Sequence, residues 1–210
     1  MPPIRLMPGH ASLAWRRLPV LCLAAVLGAC ATRPPTPGVS GTELWQHHRD
    51  AVGQLDKWKL QGRIAVRLAD KGWTASLDWS QDGKRYIARV FGPFGKGRYE
   101  LSGDGRAVQL HTDDGRLLRG RDAESLMRRS LGWGVPVSGF TYWIRGLPAP
   151  DSTPAELTVD GRGLLQHLGQ DGWRIDYTDY RRSGGYELPK KITLRREDLQ
   201  LKLIIYNWEA

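Results

Sequence analysis

A serine, histidine or cysteine does chemistry only beside a group that moves its proton, and a bound metal needs several donors at short spacing. Few residues in this 210-residue chain meet either condition. Ser138 precedes Gly139, but Pro136 stands where a G-x-S-x-G nucleophile elbow needs its leading glycine. His47, His48, His111 and His167 are scattered without metal-ligand spacing. His47 and His48 are adjacent, so on a helix they point to different sides and make a poor metal pair; solvent or edge positions are expected for them. Gly103-Asp104-Gly105, Gly132-Trp133-Gly134 and Gly161-Arg162-Gly163 have no Lys-Ser/Thr after them and are not phosphate loops. Glu197-Asp198 reads as a solvated acidic turn. These residues predict no catalytic site, no metal and no cofactor.

The cysteines point to a different chemistry. Arg5, Arg16 and Arg17 precede a short apolar run, Leu18 to Leu27, which is too short to span a bilayer. The run ends in Leu27-Gly28-Ala29-Cys30. Apolar, small, small, Cys at that place resembles the lipobox of bacterial lipoproteins. The resemblance implies cleavage after Ala29, lipidation of Cys30 and acylation of its new amino group. Residues 1–29 then read as a cleaved signal. Cys22 leaves with it and Cys30 is consumed, so no thiol or disulfide remains and stability must come from burial. Ala31 occupies the position where an Asp marks inner-membrane retention in enteric-type sorting, which points to the outer membrane. Residues 30–41, rich in Pro, Thr and Gly, read as the lipidated cysteine and its tether. Residues 42–210 are then one domain, long enough to bury a core. Removing three signal arginines from the +9 of the whole chain leaves +6. An exported lipoprotein does not meet nucleic acid, and none is expected as a partner; the charge serves solubility, or attracts anionic headgroups or an acidic protein.

The elements follow from hydrophobic period. Ser40-x-x-Glu43 has the form of a capping box, and Leu44, His48, Val52 and Leu55 recur at helical spacing, predicting a helix over 42–56. From Trp58 the period becomes two. Ile64, Val66 and their neighbours alternate with polar residues, and Trp73, Ala75, Leu77 and Trp79 alternate with Thr74, Ser76, Asp78 and Ser80. Asp82-Gly83, Asp104-Gly105 and Asp114-Gly115 separate short alternating runs, which indicates an antiparallel meander. Asp122 is expected to cap a helix carrying Leu126, Met127 and Leu131, and Ser138 a second one from Gly139 to Arg145. Strands resume at 157–159, 163–168, 173–178, 188–196 and 199–208, giving about eleven.

A large antiparallel sheet curls and leaves a concave face. Two readings of that face stay open on periodicity alone. Its apolar residues fill a solid core, or they line a container for acyl chains, closed by the helices between Asp122 and Arg145. In the container reading the tentative lining is Ile64, Val66, Leu77, Trp79, Leu126, Trp143 and Ile175. One turn is anomalous: Gly92-Pro93-Phe94-Gly95 puts a large apolar residue on a hairpin tip. Phe94 either folds back on the core or is a finger that enters a membrane or a partner.

Several motifs occur in one order. Trp58-x-Leu60-Gln61-Gly62-Arg63 follows the first helix. Gly92-Pro93-Phe94-Gly95, Leu131-Gly132-Trp133-x-Val135-Pro136-Val137, Tyr142-Trp143-Ile144-Arg145-Gly146-Leu147-Pro148 and Asp171-Gly172-Trp173-x-Ile175-x-Tyr177 come next, and Asn207-Trp208 ends the last hairpin. Together they resemble the LolB family of outer-membrane lipoprotein receptors over nearly the whole mature chain. The resemblance implies a mainly β fold with helices, an unclosed, strongly curved antiparallel β-barrel with a helical lid over a hydrophobic cavity. It implies a monomeric receptor, lipid-anchored in the outer membrane and facing the periplasm. Such a receptor takes acylated lipoprotein cargo from the periplasmic carrier LolA and inserts it among outer-membrane lipids without nucleotide. It also implies that Phe94, where the family commonly has Leu, is the apolar residue of the delivery loop.

Overall fold

The period-two stretches form strands, and their order makes one continuous surface. The computed structural model describes residues 41–92 and 97–210. The expected signal, Cys30, the expected tether up to residue 40, Pro93, Phe94 and Gly95 lie outside the described residues, while Gly41, read as the end of the tether, already belongs to the first helix. The chain begins with α1 (Gly41–Gly53), followed by β1 (Lys57–Leu68), β2 (Lys71–Asp82), β3 (Arg85–Phe91), β4 (Arg98–Gly103), β5 (Val108–His111) and β6 (Leu117–Gly120). Two helices come next, α2 (Ala123–Leu131) and α3 (Val137–Trp143). The chain ends with β7 (Glu156–Val159), β8 (Leu165–Gln170), β9 (Trp173–Ser183), β10 (Tyr186–Arg196) and β11 (Leu199–Glu209).

The eleven strands form one sheet in the order β6-β5-β4-β3-β2-β1-β11-β10-β9-β8-β7. Every pairing is antiparallel. The first and last strands pair at the centre, while β6 and β7 stand at opposite edges, so the sheet does not close. Each Asp-Gly turn read from the sequence is present, with Gly83, Gly105 and Gly115 at positive φ. Asp171 and Gly172 are both at positive φ, as a two-residue type I′ turn requires.

Alternation along the central strands is strict. In β1 Trp58, Leu60, Gly62, Ile64 and Val66 are buried, and the residues between them are mostly exposed. Gly62 is needed at its position for a separate reason. The β1–β11 register slips by one residue between Gln61 and Gly62. A Cβ at 62 would stand 2.4 Å from the Ile204 carbonyl oxygen. Only a residue without a side chain lets the two backbones approach that closely at the bulge. Gly62→Ala is expected to force the strands apart and cost roughly 1–3 kcal/mol, the range of overpacked sites. Urea unfolding checks this, and an unchanged midpoint would mean that β11 yields without loss.

The helices differ from expectation at their ends. α1 stops at Gly53 rather than Asp56: the Gln54 and Leu55 N–H groups bond three residues back, to the Ala51 and Val52 carbonyls, and Arg145 donates to the Val52 and Leu55 carbonyls. Asp122 caps α2 as expected: its carboxylate accepts the Ser125 backbone N–H at 2.7 Å. The Ser125 hydroxyl first, and then the Ser125 and Glu124 backbone N–H groups, hold the Asp122 carboxyl below its usual value against the opposing effect of burial. Ser138 does not cap α3. The helix runs from Val137 to Trp143, two residues earlier at each end than expected, with Pro136 in the cap position at φ −69° and no side-chain cap bond. Proline presets the backbone, and its carbonyl accepts the Phe140 N–H at 2.8 Å, so Ser138 falls within the first turn. His47 is exposed, and His48 is half-buried beside Trp45, ring centroids 6.1 Å apart.

Candidate functional site

The concave face of the sheet is filled in one half and hollow in the other. In the β8–β10 half, Leu165, Leu168, Ile175, Leu188 and Leu194 are fully buried. The α3 end is fastened there. The Trp143 indole N–H donates to Gln170 Oε1 at 2.8 Å, and the Tyr177 hydroxyl donates to the Trp143 carbonyl at 2.8 Å. Gln170 also accepts from the Ala149 N–H and donates to the Ala149 and Ser152 carbonyls. Every valence of this buried amide is thereby used, as a buried polar group requires. Trp143 packs on Trp173 with ring centroids 6.1 Å apart.

Arg145 is the other buried anchor of this region, 7% exposed. Its Nη1 donates to Leu55 O at 2.9 Å and Val52 O at 3.3 Å, and its Nε to Thr141 O at 3.0 Å. Burial pulls its pKa down, while Tyr142 and Asp56 act in the opposite direction. One guanidinium thus joins the last turn of α1 to α3. Arg145→Met removes these bonds and takes the guanidinium from the Leu55 and Thr141 carbonyls, while Val52 O keeps the Leu55 N–H, with an expected loss of about 3 kcal/mol. Arg145→Lys restores little, because an ammonium lacks the planar fork. Urea denaturation of both variants checks this; a parental midpoint for Arg145→Met would show that water replaces the guanidinium.

The hollow half lies under β1–β5 and β11. There a cavity of about 470 Å³ is lined by Ile64, Trp73, Ala75, Leu77, Trp79, Ala88, Val90, Tyr99, Leu101, Leu110 and Leu201 from the sheet. Its opposite wall comes from α2, the connection after it and α3: Met127, Ser130, Leu131, Trp133, Val135, Val137 and Phe140. Trp79 stacks on Phe140 at 5.7 Å, and its indole N–H donates to Gln81 at 2.9 Å. Trp73 stands 5.7 Å from Trp133, and at 40% exposure it brings the lining out to the surface. Gly92 and Gly97 also line the cavity. The Gly92 N–H bonds to the Gly97 carbonyl at 3.1 Å and closes the base of the loop that carries Phe94.

Of the residues expected to line a container, Ile64, Leu77 and Trp79 border this cavity. Val66, Leu126, Trp143 and Ile175 are buried outside the lining. Leu126 packs beneath the β6 edge, where a Cβ on Gly120 would meet it at 3.1 Å. Trp73 and Ala75 share the face of Leu77 and Trp79, so the same alternation signals them. The wall residues Trp133, Val135 and Val137 lie within the Leu131-to-Val137 motif, which periodicity does not read.

The lining contains no carboxylate, histidine or basic side chain. Among the described residues no group of His, Cys, Asp and Glu could hold a metal. The arrangement can bury hydrocarbon, and each methylene taken from water contributes about 0.8 kcal/mol. The volume falls within the roughly 300–1,000 Å³ of small-ligand sites. No helix among the described residues is long and apolar enough to cross a membrane.

Comparison with known proteins agrees with this geometry. The family model described as outer membrane lipoprotein LolB matches residues 56–208. The outer-membrane lipoprotein LolB of Stutzerimonas stutzeri is 37% identical over 191 residues, covering 90% of this chain and 92% of that protein. That of Nitrosococcus oceani is 34% identical over 199 residues, covering 94% and 99%. Among solved structures, a LolA superfamily protein from Nitrosomonas europaea superposes with a TM-score of 0.54 at 10% identity, over 82% of this chain and 94% of that one. At that identity the likeness concerns the fold alone.

Proposed function

The chain belongs to the LolB family of outer-membrane lipoproteins, and from that premise we propose that its cavity receives the acyl chains of lipoproteins from the carrier LolA and gives them up to the outer membrane. The observation that carries this reading is the apolar cavity of about 470 Å³, which reaches the surface beside the base of the Phe94 loop. Cys30 holds the lipid anchor and residues 31–40 the tether. The segment from α2 through α3 acts as the lid, and Phe94 is the finger that meets the bilayer. The protein acts as a monomer and catalyses no covalent step. Handover then runs downhill only if acyl chains sit better in this cavity than in the carrier's, and better still in the bilayer.

The test mixes the unlipidated chain with a labelled triacylated lipoprotein held by the carrier, without nucleotide. The label is expected to move onto this protein, and then into vesicles when these are added. A label that stays on the carrier while this chain is folded would leave a lipid-anchored scaffold as the better reading.

A further inference from the structure

We propose that the outer face of β1, β11 and β10 is a docking surface for anionic phospholipid headgroups, an inference that rests on the reading of the chain as an outer-membrane resident. Strand register places its residues side by side. Arg63 lies opposite Ile204, which lies opposite Lys191. Lys202 lies between Ala65 and Thr193, and Gln200 between Arg67 and Arg195. The buried residues alternate with these, so all point away from the core. Arg63, Arg67, Lys191 and Lys202 are exposed and form no ion pair within 4.0 Å among the described residues. Of the acids bordering the face, Asp176 is engaged by Arg195 and His167, and Asp179 by Lys190 at 2.8 Å; Asp78 on β2 and Asp70, Glu197 and Asp198 in the end turns set the limit of the basic area. Two of the large apolar side chains most exposed to solvent lie on this face, Ile204 at 38% and Tyr206 at 53%.

The chemistry fits a lipid surface better than an acidic protein. Exposed cations at the pleat spacing of a sheet recognise charge density rather than shape. Lys and Arg stems with a tyrosine and an isoleucine among them form the amphipathic set found where headgroups meet hydrocarbon. The placement also agrees with delivery. The row Arg67, Gln200, Arg195 lies at the strand ends near the turns at 69–70 and 197–198. The 92–97 connection leaves the sheet at that same end, since β3 returns antiparallel to β2. A membrane touching this face near its end therefore also lies next to the cavity opening.

The experiment uses the chain with Cys30→Ser, so that no lipid anchor masks the contact. It is sedimented with vesicles of phosphatidylcholine, and of phosphatidylcholine with phosphatidylglycerol. Binding is expected only to the anionic vesicles, with release by salt. The R63Q/R67Q/K191Q/K202Q variant is expected to lose about fivefold per cation, more than about a hundredfold in all. K191R/K202R keeps parental binding. A quadruple variant that binds like the parent, or a parent that binds both vesicle types equally, overturns the proposal. So does a parent that ignores both vesicles while the quadruple variant loses uptake from the carrier, which would give the face to a protein. Uptake of a soluble fluorescent fatty acid reports the cavity separately. Its failure in the parent would sink the proposed function and leave the vesicle result standing.

Discussion

Ala88→Phe abolishes acyl-chain uptake and leaves the domain folded. Ala88 lies on β3, paired with Trp79 on one side and Leu101 on the other, and all three line the cavity. It is 5% exposed, so water does not cover it. A phenyl ring at this position projects into space rather than into packed atoms. The stability cost then lies at the low end of the roughly 1–3 kcal/mol of overpacked sites. The loss in binding is larger. Each methylene denied burial forfeits about 0.8 kcal/mol, so excluding four of them weakens binding more than about a hundredfold. Two measurements separate the effects: titration with an acyl fluorophore, and urea unfolding. Parental uptake by a folded Ala88→Phe protein would mean that acyl chains bind elsewhere.

The contrast between the two halves of the concave face shows how far the sequence reaches. Period two and the Asp-Gly turns are local properties, and they predict about eleven strands in antiparallel meanders, but not the pairing of β1 with β11 that joins the two ends of the chain. They also specify which side of each strand is buried. They do not specify depth. Ile175 and Leu77 occupy equivalent inward positions in similar alternating patterns, yet Ile175 is packed solid and Leu77 faces a void. The difference is set by where α3 docks. The bonds from Trp143 to Gln170 and from Tyr177 to the Trp143 carbonyl draw the helix end over β8 and β9 and fill that half. The partners are separated by 27 and 34 residues, a pairing that no local pattern reveals. Ser138 was misleading for a related reason: a serine before a helical run reads as a cap, but the proline two residues earlier had already fixed the start. Trp73 is the reverse case, assigned to the buried face by its alternation and found 40% exposed at the mouth of the cavity, with Trp133 beside it.

Phe94→Glu should leave uptake intact and block delivery. Phe94 lies outside the described residues, but the ends of its loop do not. Gly92 and Gly97 both line the cavity and bond to each other, so the loop leaves directly from the lining. Cargo that leaves by this route passes the loop, and a phenyl ring at its tip can enter hydrocarbon at a net gain. A carboxylate there carries the opposite sign: placing one among acyl chains costs roughly 3 kcal/mol, more than a hundredfold in the population of the inserted state. The cavity wall itself is unchanged, so a labelled lipoprotein should still move from the carrier onto the variant. It should then stay there when vesicles are added, with Phe94→Leu delivering at close to the parental rate. If Phe94→Glu fills vesicles as fast as the parent, the loop has no part in membrane entry. Release would then have to come from the segment between α2 and α3 opening on its own, with the Trp73–Trp133 contact as the next place to substitute.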